Sequence, residues 1–214
     1  MKEREFAEFV RGVPLLTTRQ VAAWLGDAAY AKLYLHRMVA RGVVKRLSRG
    51  LYTAHDDPVI YASHVHYPSY ISLWHAFQHH GATTQLPKVV EVMARRSGRL
   101  EGVEFVRTRH LWGYGSTRYL GFQISIAELE KAVLDAVQTG RIPLDDVGRA
   151  IGRCEPSKIE EYALRFDVVT AKKLGYIAEG AGVFLGRLHE RVRADRNYVH
   201  LGSPVEKNRW KVVE

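Results

Sequence analysis

Residues 28–55 read AAYAKLYLHRMVARGVVKRLSRGLYTAH, with six Lys or Arg and no Asp or Glu. Their hydrophobic spacing changes part-way along. Up to Val39 the apolar residues recur at helical intervals, and Ala31, Leu35, Met38 and Val39 are predicted to form one buried stripe. Gly42 suits the left-handed position just past a helix end. Beyond it Val43, Val44, Leu47, Leu51 and Tyr52 read as two short strands around a turn at Ser48-Arg49-Gly50. A basic helix is therefore followed by a basic hairpin. With the stripe facing a core, Ala29, Tyr30, Leu33, His36, Arg37 and Arg41 turn outward, the side that a recognition helix offers to a DNA groove. Lys32 joins them as a candidate DNA contact, and Lys45, Arg46 and Arg49 fall on the hairpin.

Upstream, Phe6, Phe9 and Val10 predict a short amphipathic helix over Lys2 to Arg11, ending at Gly12. Pro14 separates it from a second helix, which Thr17 and Gln20 open with capping-box spacing, Val21, Trp24 and Leu25 line, and Gly26 closes. Asp27 can cap the third. Three short helices and a hairpin are the winged helix-turn-helix order, which predicts a DNA-binding domain over residues 1–57. A plain three-helix bundle with a solvated basic face would share the charge, but here the charge lies on both the helix and the hairpin. Over 214 residues the net charge is +9 and the pI about 9.7, which favours a polyanion partner. The single cysteine, Cys154, excludes an intrachain disulfide and suits a reducing cytoplasm. With no apolar leader-like or membrane-spanning run, a soluble cytoplasmic protein is expected.

Asp56-Asp57-Pro58 gives a cap and first-turn signal just after the hairpin, so a second domain is predicted over 58–214. Helices are expected over Val59 to His66 and, capped by Ser69, over Tyr70 to His80 with Gly81 as stop. Strand-like runs follow at Lys88 to Ala94, Val103 to Arg109 and Tyr119 to Ile124, with Ser97-Gly98-Arg99 and Gly113 to Ser116 between them. These predict an antiparallel sheet. Residues Ile126 to Val137 return to helix, with Leu129, Ala132, Val133 and Ala136 as stripe and Glu128, Lys131 and Asp135 off it. Further helices are expected at Pro143 to Ile151, Pro156 to Phe166, Val168 to Glu179 and Val183 to Ala194, then short strands at Tyr198 to Leu201 and Trp210 to Val213. That order predicts an α+β fold.

Several motifs resemble the AbiEi antitoxin family. They are Arg46-Leu47-Ser48-Arg49-Gly50-Leu51-Tyr52, Ser69-Tyr70-Ile71-Ser72-Leu73 with Gly81, Leu86-Pro87, and the helix Ile126 to Asp135, similar to the family's Pro-Glu-Lys-Ala-Leu-x-Asp. Lys172-Lys173-Leu174-Gly175-Tyr176 is similar to its Arg-Leu-Gly stretch, and Leu201, Pro204 and Trp210 to its C-terminal end. Leu129 departs from the pattern, standing where the family commonly has Pro. The resemblance implies a transcriptional repressor that binds the double-stranded operator of its own operon. It also implies an antitoxin that counteracts a nucleotidyltransferase-like toxin, in abortive-infection defence against viruses. Composition and periodicity point only to the DNA-binding half.

An enzyme needs a constellation of reactive groups. His75 and His79, with His80 beside them and His64 and His66 upstream, have a possible metal-ligand spacing but no Glu in an HExxH arrangement and no nearby Cys. A metal-dependent nuclease, the main alternative, would draw on Glu91, Glu101, Glu104 or Asp135 near Lys88 or Lys131, yet no acid-x-Lys pairing stands at Glu91. Scattered strand carboxylates more often form a wet face. The expectation is a regulator, not an enzyme, and no cofactor is implied. A second basic area, Lys88, Arg95, Arg96, Arg99, Arg107, Arg109 and Arg118, either extends the DNA footprint or meets an acidic or RNA-bound partner.

Overall fold

Caps spelled out in the sequence set the N-terminal elements: α1 (Glu3–Arg11), β1 (Leu16–Thr17), α2 (Thr18–Leu25), α3 (Ala28–Ala40), β2 (Lys45–Ser48) and β3 (Leu51–Thr53). The computed structural model describes residues 3–85, 87–202 and 204–214. Lys2, expected in the first helix, and Leu86 of the Leu86-Pro87 pair lie outside the described residues. Thr17 and Gln20 form the capping box of α2, the Gln20 N–H donating to Thr17 Oγ1 at 3.2 Å and the Thr17 N–H to Gln20 Oε1 at 2.8 Å. Asp27 Oδ1 accepts from the N–H groups of Ala29 and Tyr30 at the start of α3. At the other end of α3, Gly42 takes φ 69°, and the Gly42 and Val43 amides return to the Val39 and Met38 carbonyls, which stops the helix.

β1, β3 and β2 form a three-stranded antiparallel sheet in that order. β1 was not legible because it is two residues long. The core beneath is made by Phe6, Val10, Leu16, Val21, Ala31, Tyr34, Leu35, Met38, Val44 and Tyr52. Tyr34 replaces the expected Val39, which is 36% exposed. The stripe runs 31, 34, 35, 38, and the Phe6 ring meets Tyr34 edge-on at 5.1 Å.

The chain resolves into two compact units. The first takes Met1–Ile71, Lys88–Leu111 and Ser116–Ile126, and the second Ser72–Pro87, Trp112–Gly115 and Ala127–Glu214. Position 57/58, where the domain boundary was expected, lies inside the first unit, between the helix-and-hairpin core and α4 (Pro58–Tyr61).

Most of the six-stranded sheet belongs to this unit. Its strands are β4 (Ser69–Ile71), β5 (Val90–Ala94), β6 (Gly98–Leu100), β7 (Val103–Arg107), β8 (Tyr114–Tyr119) and β9 (Phe122–Ala127), in the order β6-β7-β5-β4-β9-β8. The sheet is mixed, not antiparallel as expected: β5 pairs with β7 and β4 with β9 in parallel, and β4–β5 and β6–β7 are antiparallel. Strand direction depends on how connections cross, which alternation does not encode. Ser69 does not cap a helix; its hydroxyl donates to the carbonyls of Ser63 and His66, and Ser69–Ile71 is held as a strand between β5 and β9. The helix α5 (Leu73–His79) starts later and stops before Gly81 at φ 68°. The strand expected over Tyr119 to Ile124 is broken by Leu120-Gly121, both at positive φ, a hairpin turn joining β8 to β9. Residues 98 and 99, expected in a turn, begin β6.

The second unit carries α5 and α6 (Leu129–Thr139), α7 (Leu144–Ile151), α8 (Pro156–Ala163), α9 (Val168–Gly180) and α10 (Gly186–Val192), with two short parallel strands, β10 (Val199–His200) and β11 (Val212–Val213). Residues Leu129 to Val137 of α6 are all buried, which corrects the expectation that Lys131 and Asp135 lie on a polar side. Over these nine residues α6 has no exposed polar face. Lys131 and Asp135 form an ion pair, both side chains at 0% exposure. Asp135 Oδ2 accepts from Ser72 Oγ at 2.8 Å, and Lys131 Nζ lies 5.5 Å and 5.4 Å from the Trp112 and Phe166 ring centres. Burial pulls the Lys131 pKa down, and Asp135 opposes that pull. Trp210 is buried against Gly175 of α9, its Nε1 donating to Glu179 at 2.6 Å.

Candidate nucleic-acid interface

With Ala31, Tyr34, Leu35 and Met38 committed to the core, Ala29, Tyr30, Lys32, Leu33, His36, Arg37 and Arg41 are all exposed along α3. The outward face is therefore the one expected. Its members differ in what holds them. Arg41 forms a surface ion pair with Glu3 of α1. Arg37 and Lys32 have no ion pair with a described residue.

On the hairpin, β2 and β3 pair as Lys45↔Thr53, Arg46↔Tyr52 and Ser48↔Leu51, with a bulge between Arg46 and Ser48. The turn falls at Arg49-Gly50, where Gly50 has φ 81°, and it leaves Arg49 exposed without an ion pair to a described residue. Lys45 is instead a foundation residue. Its Nζ lies 3.3 Å from the Asp56 carboxylate and 5.8 Å from the centre of the Tyr61 ring. Tyr61 in turn donates to the Glu101 carbonyl, and burial, aided by Glu101, pushes its pKa up to about 12. Arg46 is exposed, with Nε donating to the Ser48 carbonyl at 3.2 Å. Of the eight positions read from the sequence, Tyr30, Lys32, His36, Arg37 and Arg49 are free to meet a ligand, whereas Arg41, Lys45 and Arg46 already have internal partners.

Arg19 was missed. It is exposed in the first turn of α2, and the Thr18 N–H beside it donates to the Gly50 carbonyl of the hairpin turn at 3.0 Å. Helix N-terminus and turn are thereby joined, bringing a further cation next to the free end of the hairpin. Lying outside the 28–55 charge run, Arg19 could have been found only from the strand at Leu16–Thr17 that docks α2 onto the hairpin.

The groups weighed for enzyme chemistry are divided between the two units. His64 and His66 belong to the first unit and His75, His79 and His80 to the second. His64 Nε2 meets the Gln123 carbonyl and His80 Nε2 that of Ala127. Burial and the neighbouring His80 lower the pKa of His79. Glu91 and Glu104 stand opposite each other on β5 and β7, Glu104 with Arg99 at 3.2 Å, and Glu101 is exposed. Asp135 lies in the second unit against Lys131 and Ser72. Among the described residues no three His, Cys, Asp or Glu side chains form a group that could hold a metal ion.

The architecture is a mixed α+β chain whose N-terminal helix α3 and hairpin carry exposed basic residues. Residues 3–55 match the family model described as transcriptional regulator, AbiEi antitoxin. The resemblance read from the sequence is thus met across the segment that carries the basic helix and hairpin. No curated protein matches the sequence. Among solved structures, the crystal structure of the RV2827C protein from Mycobacterium tuberculosis is similar in fold. It has a TM-score of 0.61 and 11% identity, over 95% of this chain and 89% of that one. Among the described residues no helix is long and apolar enough to cross a membrane.

Proposed function

We propose that the chain is a winged helix-turn-helix repressor that binds the operator of its own operon and acts as antitoxin to a nucleotidyltransferase-like toxin, in cytoplasmic abortive-infection defence. It works by binding, not by catalysis. The observation that carries the DNA half is the free pair Arg37 and Arg49, one on the outward face of α3 and one at the hairpin tip, inside the segment that matches the regulator family. In this arrangement α3 enters the major groove with Tyr30, His36 and Arg37 towards base edges, and Arg49, with Arg19 beside it, meets phosphates. The antitoxin half is supported by the family description alone. We assign it to residues 58–214, and DNA binding to residues 1–57.

The two kinds of contact fail differently. Arg49→Ala is expected to weaken operator and random duplex together and to flatten the log-log salt dependence by roughly one unit. Arg37→Ala is expected to lower mainly the ratio between the two DNAs, by about 1–3 kcal/mol. Titrations of both duplexes at several salt concentrations, with folding checked by circular dichroism, decide this. Parent-like binding by both variants would remove the helix-and-hairpin surface from the account. Incubating plasmid with the parent chain and Mg²⁺ tests the nuclease alternative, since a repressor leaves the DNA intact.

Separate placement of the two roles gives another expected outcome. The full-length double variant Arg37→Ala, Arg49→Ala should lose repression of an operator–reporter fusion and still protect cells from the toxin. Loss of protection at normal protein levels would show that both roles depend on the same surface.

A further inference from the structure

The seven-residue second basic area does not act as one patch. Arg99 is neutralised by Glu104 at 3.2 Å, and Lys88 precedes β5. Arg95 and Arg96, by contrast, follow the last residue of β5, while Arg107 ends β7 and Arg109 comes two residues later. β5 and β7 run parallel with Ala94 opposite Arg107, and the Thr108 N–H donates to the Ala94 carbonyl at 2.8 Å. Four arginines therefore leave the same end of two neighbouring strands. All four are exposed, and none has an ion pair with a described residue.

β4 brings an aromatic side chain to that end. It pairs antiparallel with β5, Ser69 opposite Ala94, so Tyr67 emerges beside Arg95 and Arg96. The Ser69 hydroxyl fixes this connection through the carbonyls of Ser63 and His66, and the His66 ring packs edge-on against Phe105 at 4.6 Å. Tyr67 is left 97% exposed on an anchored backbone. No Asp or Glu occurs from Pro58 to Val90, from Val92 to Leu100 or from Phe105 to Ala127, so the segments that meet here contain no carboxylate to neutralise the rim. The rim also lies away from the hairpin of the DNA-reading surface. Lys45 of that hairpin approaches Tyr61, which bonds to the Glu101 carbonyl, at the opposite end of β5 and β7.

We infer that this rim is a second nucleic-acid surface, for a single strand: Arg95, Arg96, Arg107 and Arg109 hold successive phosphates and Tyr67 stacks on an unpaired base. A duplex uses its base faces internally and gives an exposed tyrosine nothing to stack on, whereas a single strand offers one at every nucleotide. Arginine forks suit phosphate oxygens, and each phosphate neutralised adds about 0.7 to the log-log salt slope for a single strand.

The test uses the full chain and short fluorescent oligonucleotides of one mixed sequence, as single-stranded RNA, single-stranded DNA and duplex DNA, in anisotropy titrations at several salt concentrations. The RNA and DNA strands show whether the 2′-hydroxyl contributes. Tyr67→Ala should weaken single-strand binding about tenfold, Tyr67→Phe should retain it, and duplex affinity should not change. Arg95→Glu with Arg96→Glu and Arg107→Glu should remove single-strand binding and its salt dependence, while Arg49→Ala leaves single-strand binding intact. The side chain of Tyr67 is almost wholly in solvent, so its variants remain folded and informative even if the triple reversal does not fold. The inference is overturned if the parent binds no single strand at low salt, if Tyr67→Ala binds single strands like the parent, or if the variants weaken duplex binding in parallel. Loss of operator reading in the α3 and hairpin variants is a separate result and does not bear on it.

Discussion

Gly175→Ala should destabilise the second unit by about 3 kcal/mol, the upper part of the range for forcing an extra carbon into a packed core. Local propensity argues for the opposite sign, because replacing a helical glycine by alanine gains up to about 1 kcal/mol. The contact at Gly175 decides. A methyl group there would overlap Cδ2, Cε3 and Cζ3 of Trp210. The indole cannot simply turn aside, being 1% exposed, bonded through Nε1 to Glu179 and packed edge-on against His189 at 5.2 Å. Thermal unfolding should show a fall in Tm of about 2–4 °C per kcal/mol. Trp210→Ala alone should cost a similar amount, and combining the two should cost clearly less than their sum, since the second change removes what the first collides with. A rise in Tm for Gly175→Ala would mean that Trp210 does not occupy this place.

Asp135→Ala should cost about 3–5 kcal/mol, because it removes the carboxylate that faces the fully buried Lys131 ammonium beside Trp112 and Phe166 and removes the acceptor of the Ser72 hydroxyl. Replacing both charges tests the cause. Lys131→Met with Asp135→Asn keeps the volume, removes both charges and leaves an amide oxygen to accept from the Ser72 hydroxyl, so the double variant should recover most of the lost stability. Denaturant unfolding followed by tryptophan fluorescence measures both, Trp112 reporting from beside the pair. If Asp135→Ala unfolded within about 1 kcal/mol of the parent, the pair would have to be solvated.

Both predictions rest on motifs that were visible in the sequence but whose roles were not. Lys131 and Asp135 stand four apart, which on a surface helix is a solvated pair, and helical spacing alone places them off the stripe. Only the elements packed around α6 turn that polar side into core. Gly175 and Trp210 lie far apart in the sequence, and nothing in either segment tells that one accommodates the other. The N-terminal elements were legible because their information is local: Thr17 with Gln20, Asp27 and Gly42 each act within a few residues. Local signals point to a helix from Tyr70 capped by Ser69, because the extended state of Ser69–Ile71 comes from β5 and β9 on either side. For the candidate interface, outward positions on α3 follow from periodicity, whereas the engagement of Arg41 by Glu3 and of Lys45 by Asp56 depends on neighbours from other elements. Arg19 was missed for the same reason.

The pairing of β4 with both β5 and β9 bears on the order in which a growing chain acquires structure. Ile71 has Val92 on one side and Ile126 on the other, so the sheet stays open along β4 until β9 has been synthesised. The residues that bury Phe6, Leu35 and Tyr52 are complete by Ala54, much earlier in translation. At about 5–20 residues per second the interval between the two events lasts seconds. During that time the nascent chain has a finished basic head, while β4 waits with an unsatisfied edge that favours chaperone capture or mispairing.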